Sequence, residues 1–292
     1  MQSSDRLLNW VIFALLSFIW GSSFILMKEG MKVLTPYQVA SIRMVSAGVV
    51  LLPLAIRQMK QLPSNKIGFA ILSGLLGSLF PAFLFCIAET RIDSSLAGIL
   101  NALTPISVVT IGLLFFHSKV TRLQFAGILI GFAGLCLLFL SRGQIDLTYL
   151  SYASLVLLAT ISYGLNVNMV NRYLHEIPSF HIATFAFVSL MIPSLVILWA
   201  TGYFELPLNN KEVLLATGAS ALLGLFGTAI ATVLFYVLLK KAGTVFSSMV
   251  TYGIPFVAIF WGLLAGETIT LLQIGCLAII LGGVYVARKR SA

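Results

Sequence analysis

The chain is 292 residues long, 59% hydrophobic and only 9% charged, with a formal net charge of +9. Soluble domains carry about 25% charged residues, so a water-soluble core does not account for this composition and a lipid bilayer does. The excess of lysine and arginine is scattered among short connections, which excludes a concentrated nucleic-acid surface and fits the positive-inside bias of membrane proteins.

Apolar runs of about 20 residues, the length a bilayer requires, are predicted at 8–28, 35–57, 67–89, 94–117, 121–141, 148–171, 178–201, 212–239, 243–266 and 269–288. The first run has a short basic start at Arg6 but continues past Gly21 to Met27. That is too long for a signal-peptide core, so it reads as a true span. Pro36 and Pro178 stand at helix starts; Pro53, Pro81, Pro105, Pro193 and Pro255 fall inside runs, where each removes a backbone donor and bends a helix. Gly127/Gly131 and Gly262/Gly266 have the spacing that lets membrane helices approach closely. Cys86, Cys136 and Cys276 each sit inside an apolar run without CxxC spacing, so neither a disulfide framework nor a metal site is expected.

The segment Gly74–Pro105 returns later in the chain as Gly224–Pro255. Gly74, Gly77, Leu84, Phe85 and Pro105 stand in unbroken register with Gly224, Gly227, Leu234, Phe235 and Pro255. Shared leucines mean little between apolar helices, but shared glycine and proline positions mark an internal repeat. Trp20-Gly21 matches Tyr163-Gly164, Pro36 matches Pro178, and Gly127/Gly134 resembles Gly275/Gly282. Two units are therefore expected, 1–142 and 143–292.

With ten spans, Arg6, Arg57, Lys60, Lys66, Lys119, Arg122, Arg172, Lys240, Lys241, Arg288, Lys289 and Arg290 share one side of the membrane. Lys28, Lys32, Arg91, Arg142 and Lys211 face the other. This asymmetry predicts that both termini are cytoplasmic. An odd number of spans in each unit inverts the second relative to the first, the arrangement of secondary transporters that hold substrate where the repeats meet. The expected fold class is an all-α membrane protein of ten transmembrane helices in two inverted five-helix repeats.

Several features in this order resemble one family. They are Trp20–Phe24 (WGSSF), a lone Arg43 in the second run, the glycine-rich third and eighth runs, Pro105 and Pro255, and Glu267 followed by Gln273 and Gly275. The chain resembles, over essentially its whole length, the ten-helix EamA-type branch of the drug/metabolite transporter superfamily. His117 stands where many relatives place a glutamate matching Glu267. The resemblance implies an inner-membrane carrier of small metabolites, often an exporter of amino acids.

Arg43 lies about eight positions inside the second run, roughly 12 Å deep at about 1.5 Å per residue. An intramembrane charge is costly and should face protein or water. It either anchors a substrate carboxylate or caps freed backbone carbonyls. Polar side chains gather in register-matched runs: Trp20, Ser22 and Ser23; Tyr163, Asn166, Asn168 and Asn171; Asn101 and Thr104; Thr251 and Tyr252. Any one can serve helix packing, but four such clusters point to a cavity. Phe83, Phe85, Tyr236 and Phe246 are candidate aromatic walls, and His181 lies near an interface. The expected substrate-binding set is Trp20, Ser23, Arg43, Phe85, Asn101, Thr104, Tyr163, Asn166, Tyr236, Thr251 and Tyr252.

No GxxxxGK[ST], HExxH or GxSxG pattern occurs, so ATP-driven or hydrolytic chemistry is not expected, and no catalytic residue, metal or cofactor is assigned. Glu29, Glu89, Asp93 and Glu267 lie at the edges of runs, which favours facilitated movement or exchange over ion coupling. The expected partners are a small-molecule solute and the lipid bilayer, without nucleic acid; a homodimer stays open. The competing readings are a carrier of another solute class, such as a drug or nucleotide-linked sugar, a membrane-embedded enzyme, and a non-transporting scaffold.

Overall fold

A computed structural model describes residues 3–58, 62–92, 94–141, 150–264 and 270–287. All regular structure among these residues is helical. Within lipid each backbone donor and acceptor must find a partner in the protein, and apolar runs of about 20 residues meet that demand as helices. The α-helices are α1 (Ser3–Met31), α2 (Pro36–Gln58), α3 (Ser64–Gly74), α4 (Phe80–Ala88), α5 (Ser94–Asn101), α6 (Thr104–Phe115) and α7 (Arg122–Leu140). They continue as α8 (Leu150–Tyr173), α9 (Ser179–Ala200), α10 (Lys211–Leu222), α11 (Ala231–Ala242), α12 (Thr244–Ser248), α13 (Ile254–Leu264) and α14 (Leu271–Ala287). Seven continuous helical runs among the described residues are long and apolar enough to cross a membrane, and three shorter apolar helices accompany them.

Two runs change pitch. A π-helical segment, Leu75–Leu79, joins α3 to α4, and a second, Leu223–Ile230, joins α10 to α11. Pro81 supplies a reason for the first: it has no N–H to offer the carbonyl four residues back, and a wider turn removes that demand. The second contains Gly224 and Gly227. Side chains there would overlap Ser46 Oγ and the Arg43 carbonyl, and Ser23 Oγ, respectively. The missing Cβ atoms let the wide turn press against α1 and α2.

Of the prolines expected to bend spans, Pro53 and Pro193 lie inside α2 and α9, whereas Pro105 and Pro255 follow interruptions of the α pitch. α5 ends at Asn101, two residues turn, and α6 begins at Thr104 with Pro105 in its first turn. In the later run, the 3₁₀ segment Met249–Gly253 precedes α13, which carries Pro255 in its first turn. Proline fits the first turn of a helix, where its missing N–H would have had no intrahelical partner.

Helix starts follow local chemistry. Thr35 with Gln38, Thr121 with Gln124, and Thr270 with Gln273 each exchange two side chain–backbone hydrogen bonds, forming capping boxes for α2, α7 and α14. Lys66 Nζ donates to the Tyr173 carbonyl at 2.8 Å, and Lys240 Nζ donates to the Ile177 carbonyl. Two cations thus close the C-terminal end of α8 and the loop after it, where the helix dipole favours positive charge.

The two halves of the chain interleave. α2 packs on α9, and α7 on α14. α1 packs on α10, α11 and α13, while α8 packs on α3, α4 and α6. Gly127 and Gly131 of α7 meet Gly283 of α14, so that a Cβ on Gly283 would come within 2.7 Å of Gly131 Cα. The spacing read as a close-approach signal is used in that way. Gly275 and Gly282, which echo Gly127 and Gly134 in the repeat, pack differently, with nothing within 4 Å of an added Cβ. The cysteines are free, with Cys86 and Cys276 buried. Asp93, Gly266 and Glu267 lie outside the described residues.

Candidate substrate cavity

A cavity of about 110 Å³ lies where the two sets of helices meet. α1 contributes Trp20, Ser23, Phe24 and Met27; α2 contributes Arg43; and the first π-helical segment contributes Gly77 and Ser78. Phe85 enters from α4, Asn101 from α5, Thr104 from α6, and Tyr163, Asn166 and Val167 from α8. Leu223 and Gly227 come from the second π-helical segment, and Thr232, Phe235 and Tyr236 from α11. Ser248, Thr251 and Ile254 complete the wall.

Positions matched by sequence register line this space in pairs. Trp20 and Tyr163, Ser23 and Asn166, Phe24 and Val167, Gly77 and Gly227, Phe85 and Phe235, Asn101 and Thr251, and Thr104 and Ile254 all line it. The packing is matched as well. Trp20 stands 5.5 Å from Phe235, centroid to centroid, and Tyr163 stands 6.5 Å from Phe85. A Cβ on Gly77 would overlap the Asn166 amide, just as one on Gly227 would lie 2.8 Å from Ser23 Oγ. Gly21 packs against Val257 and Gly164 against Ser107, which are again matched positions.

The polar groups are partly committed to the scaffold. Trp20 Nε1 donates to the Gly227 carbonyl at 3.1 Å. Thr104 Oγ1 donates to the Asn101 carbonyl at 2.6 Å and lies 3.2 Å from Asn101 Oδ1, in the turn that Pro105 forces open. Asn166 Nδ2 donates to the Tyr236 hydroxyl at 3.3 Å, and Asn166 Oδ1 has no partner. Arg43 Nε donates to Thr228 Oγ1. No described carboxylate pairs with Arg43, and none lines the cavity. Its Nη1 and Nη2 make no hydrogen bond within the described residues. The site is therefore cationic, ringed by hydroxyls, amides and aromatic faces. Such a constellation suits a small solute carrying an anionic group and an apolar or planar part.

Of the eleven residues expected to bind substrate, Tyr252 alone is absent from the cavity wall. Tyr252 is fully buried, its hydroxyl donates to the Ile128 carbonyl at 3.0 Å, and its ring covers Gly131 of α7. One helical step, about 100° or more of rotation, separates it from Thr251, which does face the cavity. Phe83 and Phe246 are also elsewhere: Phe83 lies beside Tyr37, and Phe246 packs with Trp10 and Phe13. Ser22 and Asn168 tie helices together, Ser22 accepting from Trp261 Nε1 and Asn168 Nδ2 donating to the Val108 carbonyl. His181 is remote from the cavity wall. The wall residues missed from sequence are mostly apolar or small, such as Phe24, Met27, Leu223 and Phe235. Phe235 was legible as the register mate of Phe85.

The sequence profile of the EamA-like transporter family matches residues 8–140 and again residues 150–288. An uncharacterized transporter of Archaeoglobus fulgidus is 26% identical, covering 97% of this chain and 99% of its own length. The uncharacterized inner membrane transporter YedA of Escherichia coli K12 is 29% identical over 93% of this chain and 87% of itself. An S-adenosylmethionine/S-adenosylhomocysteine transporter of Chlamydia trachomatis serovar L2 is 29% identical over 86% of this chain and 80% of itself. A solved crystal structure shares the fold, with a TM-score of 0.71 at 19% identity and 98% coverage of both chains.

Proposed function

The chain belongs to the EamA-like transporter family, and from that premise we propose a secondary transporter that moves amino acids or related carboxylate-bearing metabolites outward across the inner membrane by alternating access. The observation that carries this reading is Arg43: a guanidinium that pairs with no described carboxylate, on the wall of a cavity that no described carboxylate lines. A buried charge without a partner is expensive, and a solute carboxylate is the partner the site lacks. The ammonium of an amino acid finds acceptors in Asn101, Thr251 and Ser248, and π faces in Trp20 and Tyr163.

The transporter is built from ten spans in two inverted units, 1–142 and 143–292, with both termini cytoplasmic. Three observations support the duplication: the twofold match of the family profile, the two π-helical segments at matched positions, and the matched pairs along the cavity wall. Alternating access then consists of one unit rocking against the other, with the breaks before Pro105 and Pro255 as flexible points.

A second solute is favoured by the four aromatic rings Trp20, Phe85, Tyr163 and Phe235. They suit a stacked nucleobase, and S-adenosylmethionine joins such a base to an amino acid, matching the solute for which the chlamydial relative is named. Efflux from cells over-expressing the chain, measured for the standard amino acids and S-adenosylmethionine, separates the two. Raised efflux of at least one amino acid, lost in Arg43→Ala, is the expected result. Raised efflux of S-adenosylmethionine alone selects the second reading, and no change for any solute in the panel overturns both.

A further inference from the structure

Thr228 does not reach the cavity wall, yet it lies behind Arg43 and is almost completely buried, with 1% exposure. Its hydroxyl oxygen accepts from Arg43 Nε and lies 3.4 Å from the Leu223 carbonyl, to which it donates. A hydroxyl has one proton and two lone pairs. With the proton turned to Leu223, a lone pair is left for Arg43, so the order of the chain is forced: Arg43 N–H to Thr228 oxygen, Thr228 O–H to Leu223 carbonyl. Leu223 and Thr228 are the first and sixth residues of the second π-helical segment. The wide pitch of that segment, with its five-residue hydrogen-bond spacing, brings the hydroxyl over the carbonyl. Gly224 completes the seat by letting the segment touch the Arg43 backbone carbonyl.

A guanidinium can grip a carboxylate side-on, through Nε and one Nη, or end-on, through both Nη atoms. Thr228 occupies Nε. The end-on pair remains free, on a side chain that lines the cavity. The first π-helical segment has no such arrangement. Ser78, the register mate of Thr228, lines the cavity itself, and α9, which matches α2, contains no arginine or lysine.

We infer that Thr228 is a positioning residue: it fixes the plane of Arg43, so that the site prefers a carboxylate over an uncharged isostere of the same shape. This rests on the reading of Arg43 as the carboxylate anchor. Thr228 thereby also joins the bound anion to a wide-pitched helical turn that touches both α1 and α2.

The test uses the full chain in liposomes and two solutes: the amino acid giving the largest efflux in the panel, and its carboxamide. The readout is the ratio of their Vmax/KM values. Thr228→Val keeps the side-chain shape and removes the hydroxyl; it is expected to lower the ratio about tenfold, the size of a lost hydrogen bond to a charged group. The change should appear in the KM of the carboxylate, leaving the KM of the carboxamide within about twofold. Thr228→Ser, which keeps the hydroxyl, should restore the ratio. If Thr228→Val does not reach the membrane, Thr228→Ala takes its place. A wild-type ratio retained in Thr228→Val, an equal rise in both KM values, or no rescue by serine overturns the inference. A wild-type protein without preference for the carboxylate, or a preference that survives Arg43→Gln, overturns the anchor reading itself and the inference with it.

Discussion

Arg43 and Tyr252 show how far single residues can be judged from type and spacing. A lone arginine inside an apolar run has few acceptable surroundings, and a water-accessible cavity is one of them. The lysine variant keeps the charge but loses the planar fork. Arg43→Lys is accordingly expected to raise the KM for a carboxylate solute about tenfold, with little change in Vmax, and a kinetic series in liposomes checks this. Unchanged affinity would remove Arg43 from the site. Tyr252 carries the opposite expectation. Its hydroxyl serves the Ile128 carbonyl rather than the cavity, so Tyr252→Phe should leave KM unaltered. It should cost about 1 kcal/mol of stability, read as a lower unfolding temperature in detergent. A change in KM would return Tyr252 to the binding set. Asn101 and Thr251 were legible as cavity residues because each stands in the last turn before a proline, where a polar side chain is hard to place against lipid. Tyr252, one residue on, turns to α7 instead, because neighbouring helical positions point in different directions and composition does not fix the rotation.

At the scale of elements, the glycines of α14 separate packing from mere occurrence. Gly282 and Gly283 are neighbours in sequence, and a glycine on a membrane helix is ambiguous by itself. In the structure, Gly283 lies against Gly127 and Gly131, whereas Gly282 has open space beyond it. Gly283→Ala should therefore force α7 and α14 apart at a cost of about 1–3 kcal/mol. Gly282→Ala should be neutral or slightly stabilising, since alanine is the better helix former. Thermal unfolding of the two variants side by side tests this, and equal behaviour would contradict the described α7–α14 contact. The π-helical segments belong to the same scale. Their glycines were visible in sequence as a shared register, but not the extra width of the turn, which depends on what each glycine touches: Asn166 for Gly77, Ser23 for Gly227.

At the scale of the whole molecule, orientation and energy source are the open consequences. The lysines that cap the α8 end, Lys66 and Lys240, belong to the side richer in basic residues. A fluorescent protein fused after Ala292 should fluoresce, and a periplasm-dependent phosphatase fused there should stay inactive; the reverse pattern would invert the assigned orientation. No described carboxylate lines the cavity, so transport in liposomes should follow the gradient of the solute itself. Uptake driven by an imposed pH gradient alone would contradict this.

By itself, the sequence determined the membrane-spanning class, the approximate limits of the apolar runs, the matched register of the two halves and the polar part of the cavity wall, while the apolar and small wall residues were mostly missed. These follow from local quantities: hydropathy over a span, the backbone limits of proline, and the cost of placing asparagine or arginine against hydrocarbon. Only the tertiary structure decided which face of α14 meets α7, where Tyr252 points, and that Thr228 stands between Arg43 and the Leu223 carbonyl. Those outcomes depend on helix rotation and pitch, which are settled by contacts between residues distant in sequence. An apolar helix surrounded by lipid has little amphipathic signal to announce its rotation in advance.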